Sequence, residues 1–220
     1  MAAMAAIRFY FDYISPYSYL AWKKVHEVAA RHDRDVDPVP ILLGAVLDAM
    51  GTRGPAEIPA RRAYLVKDLT RLARTHGVPF APPPVHPFNP LLSLRVTCVP
   101  MPPASRLALI HALFDKAWAH GESIAEREAV AAVCRSVGLG DDVLAGAEVQ
   151  ENKDRLRRNT EEAIAAGAFG VPTLIVDGEM FFGQDSLPHL DLFLSGENPV
   201  TPEMVERWAK IPSGVSRRPR

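Results

Sequence analysis

The tetrapeptide Ser15-Pro16-Tyr17-Ser18 has the residue types that chemistry at the start of a helix requires. It follows the apolar run Ile7–Phe11 and opens a segment with helical spacing, so Ser15 is predicted to be an N-cap and Pro16 the first helical residue. The N–H groups and the positive end of a helix stabilise a thiolate, and a hydroxyl there can donate a hydrogen bond to a bound sulfur and lower its pKa. The tetrapeptide therefore predicts a thiol-activating site, or a helix cap alone.

A second candidate segment runs from Phe169 to Thr173, directly before a strand-like apolar run. A cis bond before Pro172 would leave the N–H and C=O of Val171 free to pair with an extended peptide, in the manner of an added strand. We therefore predict a cis Val171–Pro172 bond and a peptide-like ligand beside it. An ordinary Gly-Val-Pro turn that leads into a strand is the alternative.

The run Phe182-Gly183-Gln184-Asp185 follows a predicted hairpin and opens the last predicted helix. Backbone N–H groups at a helix start can hold a carboxylate. The carboxylate of Asp185 can instead hold an ammonium group, and it can also cap the helix. This run is the third candidate ligand-binding segment.

Three further residues are candidates for contact with a small organic substrate. Tyr17 is the tyrosine that we expect to reach an aromatic molecule from the start of the first helix. His86 and Asn89 lie in a proline-rich loop that can cover such a molecule, although a loop residue without a role is the commoner case.

Composition excludes several classes of protein. The chain has 220 residues and a formal net charge of −1, which argues against a nucleic-acid binder that depends on bulk charge. No apolar run approaches the roughly 18 residues that a membrane span needs, and no secretory signal is recognised, so we expect a cytoplasmic protein. Cys98 and Cys134 show neither CxxC nor metal-ligand spacing, which predicts two buried reduced thiols and no metal.

The candidate residues must be positioned by strands at the two ends of the chain. Ile7–Phe11, the helix from Pro16 and a strand over 36–43 predict a β-α-β unit with parallel strands. Residues 47–167 show helical patterns and little strand signal. Strand character returns at Thr173–Val176, and Asp177-Gly178 predicts a hairpin to a partner strand, Glu179–Phe182, before a last helix.

This order of elements is that of an α/β thioredoxin-like fold with an all-helical insertion, as in the DsbA type. We assign residues 1–46 and 168–200 to a discontinuous thioredoxin-like domain, 47–167 to a helical insertion domain and 201–220 to a C-terminal tail. In such a fold the tetrapeptide occupies the place of a redox CxxC. Because serine replaces both sulfurs, dithiol–disulfide exchange by that route is excluded.

Several motifs together resemble those of 2-hydroxychromene-2-carboxylate isomerases, close relatives of the kappa-class glutathione transferases. The likeness runs from about Ile7 to Leu194 and is carried by five segments: Phe11–Ala21, Arg62–Leu69, Gly77–Pro79, Phe88–Leu91 with Arg95, and Phe169–Thr173 with Glu179–Asp185.

The resemblance implies a glutathione-dependent cis-trans isomerase of an aromatic 2-oxo acid, acting in aromatic catabolism with glutathione as a reusable cofactor. Ser15 would contact the glutathione sulfur. The other glutathione contacts would come from Arg61, Val171, Pro172, Phe182, Gly183, Gln184 and Asp185. The aromatic carboxylate substrate would lie toward Tyr17, His86 and Asn89.

One departure from the family bears on the substrate. Many relatives carry a lysine after the second strand, where this chain has Asp48. If that lysine holds the substrate carboxylate, this protein needs another cation, such as Arg53, or another substrate.

Two other functions remain open. A kappa-type transferase would use the same site but consume glutathione, and a non-catalytic thioredoxin-like module would bind a partner across Val171 and Pro172. Relatives are dimers, so the resemblance also implies a homodimer.

Overall fold

A four-stranded sheet joins the two ends of the chain. A computed structural model describes residues 5–214. The strands are β1 (Ile7–Phe11), β2 (Val36–Pro40), β3 (Thr173–Val176) and β4 (Glu179–Phe182). Their order is β2-β1-β3-β4, in which β1 and β2 are parallel and the other two pairs are antiparallel. This is the α/β thioredoxin-like sheet that the sequence predicts.

Ten α-helices lie in the described part of the chain. They are α1 (Pro16–Arg31), α2 (Leu43–Ala49), α3 (Pro59–His76), α4 (Leu91–Cys98), α5 (Pro103–Phe114), α6 (Arg127–Ser136), α7 (Asp141–Gly146), α8 (Gln150–Ala165), α9 (Leu187–Leu194) and α10 (Pro202–Ala209). A short π-helical segment, Asp115–Ala119, extends α5. The long run of helices between β2 and β3 agrees with the predicted helical insertion.

Local sequence explains where the elements near the candidate residues begin and turn. Ser15 has extended backbone angles and accepts a hydrogen bond from the Ser18 N–H at 3.1 Å, and Pro16 is the first residue of α1, as predicted. Asp177 and Gly178 both have positive φ and connect β3 to β4 in a two-residue hairpin. The Ser-Pro pair therefore determines where α1 begins, and the Asp-Gly pair determines where β3 turns into β4.

Aromatic side chains connect the sheet to the helical block. Phe11 of β1, Trp22 of α1 and Phe114 of α5 are fully buried, and the ring centroids of Phe11 and Phe114 lie 5.4 Å apart. Aromatic pairs at such distances contribute about 0.5–1.5 kcal/mol beyond the burial of their area. This packing fixes the carboxyl end of β1, from which the chain turns toward Ser15.

Three elements differ from the sequence expectations. The second strand ends at Pro40 rather than at residue 43, and the short helix α2 begins at Leu43. The last helix was expected to begin at Asp185, but a 3₁₀ turn precedes α9, which begins at Leu187. The predicted tail contains α10, whose residues are all exposed.

The sulfur chemistry agrees with the sequence. Cys98 and Cys134 are buried free thiols, and burial raises the pKa of Cys98 to about 11.

Over residues 5–214, no helix is long and apolar enough to cross a membrane. The same residues include no group of three or more His, Cys, Asp and Glu side chains that could hold a metal ion.

Candidate active site

Ser15 lies where the first strand meets the first helix, and it faces the proline segment before β3. Its side chain is almost fully buried, and its Oγ lies 3.5 Å from the carbonyl oxygen of Val171. At that distance the hydroxyl donates only a weak hydrogen bond. Ser15 therefore caps α1, and its hydroxyl is available to donate a stronger hydrogen bond to another acceptor.

The Val171–Pro172 bond is cis, as predicted from the sequence. Among residues 5–214, the N–H of Val171 has no hydrogen-bond partner. The carbonyl of Pro172 accepts a hydrogen bond from the Gly183 N–H at 2.9 Å, which ties the second candidate segment to the third. The two segments thus form one continuous wall.

We call the depression along this wall the groove; its volume is about 650 Å³. It brings together eight of the residues predicted for ligand binding: Tyr17, Arg53, Val171, Pro172, Phe182, Gly183, Gln184 and Asp185. Asp68, which the sequence analysis did not select, also lines it. The rings of Phe169 and Phe182 lie 4.4 Å apart at its edge. Gly170 lets the Phe182 ring lie against the backbone there, because a Cβ at this position would be 2.8 Å from the ring and would displace it.

The groove carries charges of both signs. Within the described chain, Arg53 makes no ion pair, and the Asp185 carboxylate has no hydrogen-bond partner and does not cap the last helix. The hydroxyl of Tyr17 donates to Asp68 at 2.7 Å. Burial and the Asp68 carboxylate raise the pKa of Tyr17, so its hydroxyl stays protonated. Because that proton is donated to Asp68, the hydroxyl has no second proton to donate to a ligand.

A second depression adjoins the groove, with which it shares Tyr17, Leu43, Leu47, Gly54 and Pro55, and we call it the apolar cavity. It has a volume of about 240 Å³ and is lined by Ser15, by Tyr17 and by the proline-rich loop at His86 and Pro87. Tyr17 lines both the groove and the apolar cavity. Tyr17 therefore stands at the junction of the two depressions, and Ser15 lies in the wall of the apolar cavity with its Oγ 3.5 Å from the carbonyl oxygen of Val171 in the groove.

Asp12 is a buried carboxyl in the wall of the apolar cavity that the sequence analysis did not select. It is inaccessible to solvent and accepts hydrogen bonds from the N–H groups of Ile14, at 3.1 Å, and Leu43, at 2.9 Å. Burial raises its pKa to about 7, although the two N–H donors oppose the shift. An acidic residue at the carboxyl end of a buried strand was the available signal for it.

His86 has an unpartnered ring nitrogen beside the apolar cavity. Its Nδ1 is buried and has no hydrogen-bond partner within 5–214, and its ring packs edge-on against Trp118 with the centroids 5.2 Å apart. Burial, with a smaller effect of Arg62, lowers the pKa of His86. The imidazole is therefore neutral at neutral pH.

Three of the residues predicted for ligand binding are less available than expected. Arg61 and Asn89 lie outside the groove and the apolar cavity, and the side chain of Gln184 is bound within the protein. Arg61 lines a neighbouring depression together with Tyr17 rather than the groove itself. Asn89 lines neither the groove nor the apolar cavity, and its side chain accepts a hydrogen bond from the N–H of Leu91 at the start of α4. Gln184 lines the groove, but its side-chain oxygen is bound to His76 at 2.9 Å.

Fold and site together define the class: a thioredoxin-fold protein of the DsbA type in which serine stands in place of the redox cysteines. Residues 6–195 match the family model described as the DSBA-like thioredoxin domain. The chain belongs to this family and, within it, to the branch of 2-hydroxychromene-2-carboxylate isomerases and kappa-class glutathione transferases.

Two similar proteins support this placement, and a solved structure has the same fold. A 2-hydroxychromene-2-carboxylate isomerase of Pseudomonas putida is 32% identical, over 82% of this chain and 90% of the relative. Glutathione S-transferase kappa 1 of Caenorhabditis elegans is 28% identical, over 96% of this chain and 100% of its own. A solved 2-hydroxychromene-2-carboxylate isomerase aligns with a TM-score of 0.80 at 24% identity, covering 95% of this chain and 100% of the other, and shows the shared fold.

Proposed function

We propose that this protein is a glutathione-dependent enzyme of the isomerase and transferase branch, with glutathione in the groove and an organic electrophile in the apolar cavity. The observation that carries the proposal is the position of Ser15, which lines the apolar cavity while its hydroxyl lies 3.5 Å from the carbonyl oxygen of Val171, a residue of the groove wall. Bound glutathione supplies a thiolate that adds to an electrophilic carbon. Everything else is done by residues of this chain.

The groove fits a tripeptide with charged ends. The free N–H of Val171 is available to pair with the backbone at the cysteinyl residue, as in strand addition. The unpartnered Asp185 carboxylate suits the γ-glutamyl ammonium group, and Arg53 suits a carboxylate. The Arg53 assignment differs from the sequence expectation, which gave this cation to the substrate.

Ser15 would stabilise the thiolate from the helix end. Its hydroxyl turns from the Val171 carbonyl to the sulfur and donates a hydrogen bond, while the thiol proton leaves to solvent. The positive end of α1 adds to this stabilisation. Both effects favour the ionised form and so lower the pKa of the thiol.

Two reactions share this site and differ in the fate of glutathione. A cis-trans isomerase, acting on an aromatic 2-oxo acid in aromatic catabolism, regenerates the thiol after each turnover; the isomerase relatives support it. A kappa-type transferase consumes one thiol for each product; the transferase relatives support it. Titration of free thiol before and after many turnovers separates them, since a constant thiol count indicates the isomerase and a stoichiometric loss the transferase.

Replacing Asp185 by Asn should weaken glutathione binding without affecting the fold. The exposed carboxylate makes no bond that stabilises the described chain, and its loss removes one charge-assisted contact to an ammonium group. Because the site is solvated, we expect KM for glutathione to rise about five- to tenfold. Glu161→Gln, on the exposed face of α8, removes the same charge away from the groove and should leave KM unchanged. Equal KM values for the two variants would contradict the assignment of Asp185.

A non-catalytic module that binds a partner across Val171 and Pro172 is the competing proposal. Isothermal titration with glutathione distinguishes them, since the module would show no glutathione binding. We further propose, from the sequence, a cytoplasmic homodimer. Sedimentation equilibrium at micromolar protein tests the dimer, and a species of only 24.1 kDa would contradict it.

A further inference from the structure

The walls of the apolar cavity are built from prolines and leucines. Its lining includes Pro16, Pro55, Pro87 and Pro90 together with Leu42, Leu43, Leu47 and Leu65. Proline fixes its own backbone and carries no polar side-chain atom. Such a surface offers dispersion contacts to a flat apolar group but no hydrogen-bond donors beyond the few side chains set into it.

Both carboxyl groups in the lining already hold backbone N–H groups. Asp12 accepts from the N–H groups of Ile14 and Leu43, and Glu57 accepts from the N–H of Gly54 at 2.8 Å. The N–H groups of Ile14, Leu43 and Gly54 are therefore occupied by the protein's own acids and are not free to hold a substrate carboxylate. A second carboxylate in the cavity would also be repelled by the carboxylate of Glu57 and, above about pH 7, by that of Asp12.

Lysine and arginine are absent from this lining, as far as residues 5–214 show. Arg53 lines the groove instead, and Arg62 is an exposed side chain near His86 that does not form part of the wall. Asp48, at the position where many relatives carry lysine, is exposed and also lies outside the wall. Burial lowers the pKa of His86, so the imidazole adds no positive charge to the lining at neutral pH.

We infer that the apolar cavity takes the uncharged aromatic or conjugated part of an electrophile and rejects a carboxylate there. The inference rests on the proposed function and narrows its substrate class. Moving a carboxylate from water into an apolar site without a partner is strongly unfavourable. The preferred substrate is thus a neutral electrophile rather than the aromatic 2-oxo acid that the isomerase resemblance implies.

Calorimetric titration with three glutathione derivatives tests the inference without any turnover. S-methylglutathione occupies the groove, S-benzylglutathione adds a neutral ring, and S-(4-carboxybenzyl)glutathione adds the same ring with a negative charge. We expect the benzyl compound to bind about tenfold or more tightly than the methyl compound, because the ring is removed from water. The carboxybenzyl compound should bind about tenfold or more weakly than the benzyl compound.

The possible outcomes separate the inference from the proposed function. If S-methylglutathione binds but the carboxybenzyl compound binds as well as the benzyl compound or better, the inference is overturned and the glutathione site stands. If the benzyl group gives no gain over methyl, the cavity is not the acceptor site and the inference also fails. If none of the three compounds binds, the proposed function itself is wrong, and the inference falls with it.

A variant that adds a cation to the wall supplies an independent test. Leu47→Lys places an ammonium group in the wall that the cavity shares with the groove. Relative to Leu47→Met, which has a similar size and no charge, it should improve binding of the carboxybenzyl compound about tenfold more than binding of the benzyl compound. Asp48→Lys makes a larger charge change just outside the lining and should have little effect. Equal gains from Leu47→Lys and Asp48→Lys would show that overall charge governs binding, which contradicts the inference.

Discussion

Replacing Ser15 by Ala is expected to lower kcat/KM about ten- to hundredfold near neutral pH. The variant loses a charge-assisted hydrogen bond to the glutathione sulfur, and such a bond contributes roughly 1.5–3 kcal/mol. The pKa of bound glutathione should rise, which the ultraviolet absorbance of the thiolate measures across a pH series. Glutathione affinity should change much less, because other residues of the groove hold the charged ends. Loss of the N-cap costs only about 1 kcal/mol of stability, so the fold should remain intact.

Ser18 provides the matched control for this experiment. It lies in the first turn of the same helix, is fully buried, and its hydroxyl has no hydrogen-bond partner within the described chain. Ser18→Ala should therefore keep both activity and the thiol pKa. Ser15→Cys adds a positive test, since under oxidising conditions it should capture glutathione as a mixed disulfide. Full activity of Ser15→Ala, or a Ser15→Cys variant that never captures glutathione, would show that the serine is only a helix cap.

The parts of the site that sequence predicts are those fixed by local chemistry. Ser15 and Pro16 specify a helix start because their own side chains satisfy or remove the first N–H groups. The Asp177-Gly178 turn sets the register of β3 and β4, and so places the run from Phe182 to Asp185 beside Pro172. These signals need only a few neighbouring residues, so the groove could be anticipated.

The apolar cavity could not be predicted in this way because long-range contacts create it. The short helix α2 has Leu43, Val46 and Leu47 at helical spacing, but seven residues are too few for this pattern to separate a helix from the end of the preceding strand. Its first N–H is held by Asp12, which lies thirty-one positions earlier in the chain. The burial of Asp12 in turn depends on how β1, α2 and the proline-rich loop meet, and sequence alone does not report burial.

The C-terminal helix was missed although a local signal existed. Thr201 accepts a hydrogen bond from the Met204 N–H at 3.3 Å, and Pro202 begins α10. This is the same cap and proline pairing as at Ser15 and Pro16. The prolines and serines of the surrounding segment are typical of an irregular tail, and they obscure the helix start that Thr201 and Pro202 specify.

Asp12 should make the protein less stable as the pH rises from about 4 to about 7. Burial raises the pKa of Asp12 to about 7 in the folded protein, whereas an unfolded aspartate titrates near 3.9. Between these values the folded state binds more protons than the unfolded state, so the free energy of unfolding falls with increasing pH. Between pH 5 and pH 8 this single group should lower it by about 3 kcal/mol.

Asp12→Asn removes the titrating group and should abolish this dependence. At pH 5 the variant should be less stable than wild type by about 1–3 kcal/mol, because an amide has one oxygen and leaves either the Ile14 or the Leu43 N–H unpaired. At pH 8 that deficit should vanish or reverse, since only the wild type then buries a charge. Urea unfolding of both proteins at several pH values measures the difference, and the exposed Asp48→Asn serves as control and should follow wild type. Parallel curves for wild type and Asp12→Asn would mean that Asp12 is ionised throughout and that its two backbone donors outweigh its burial.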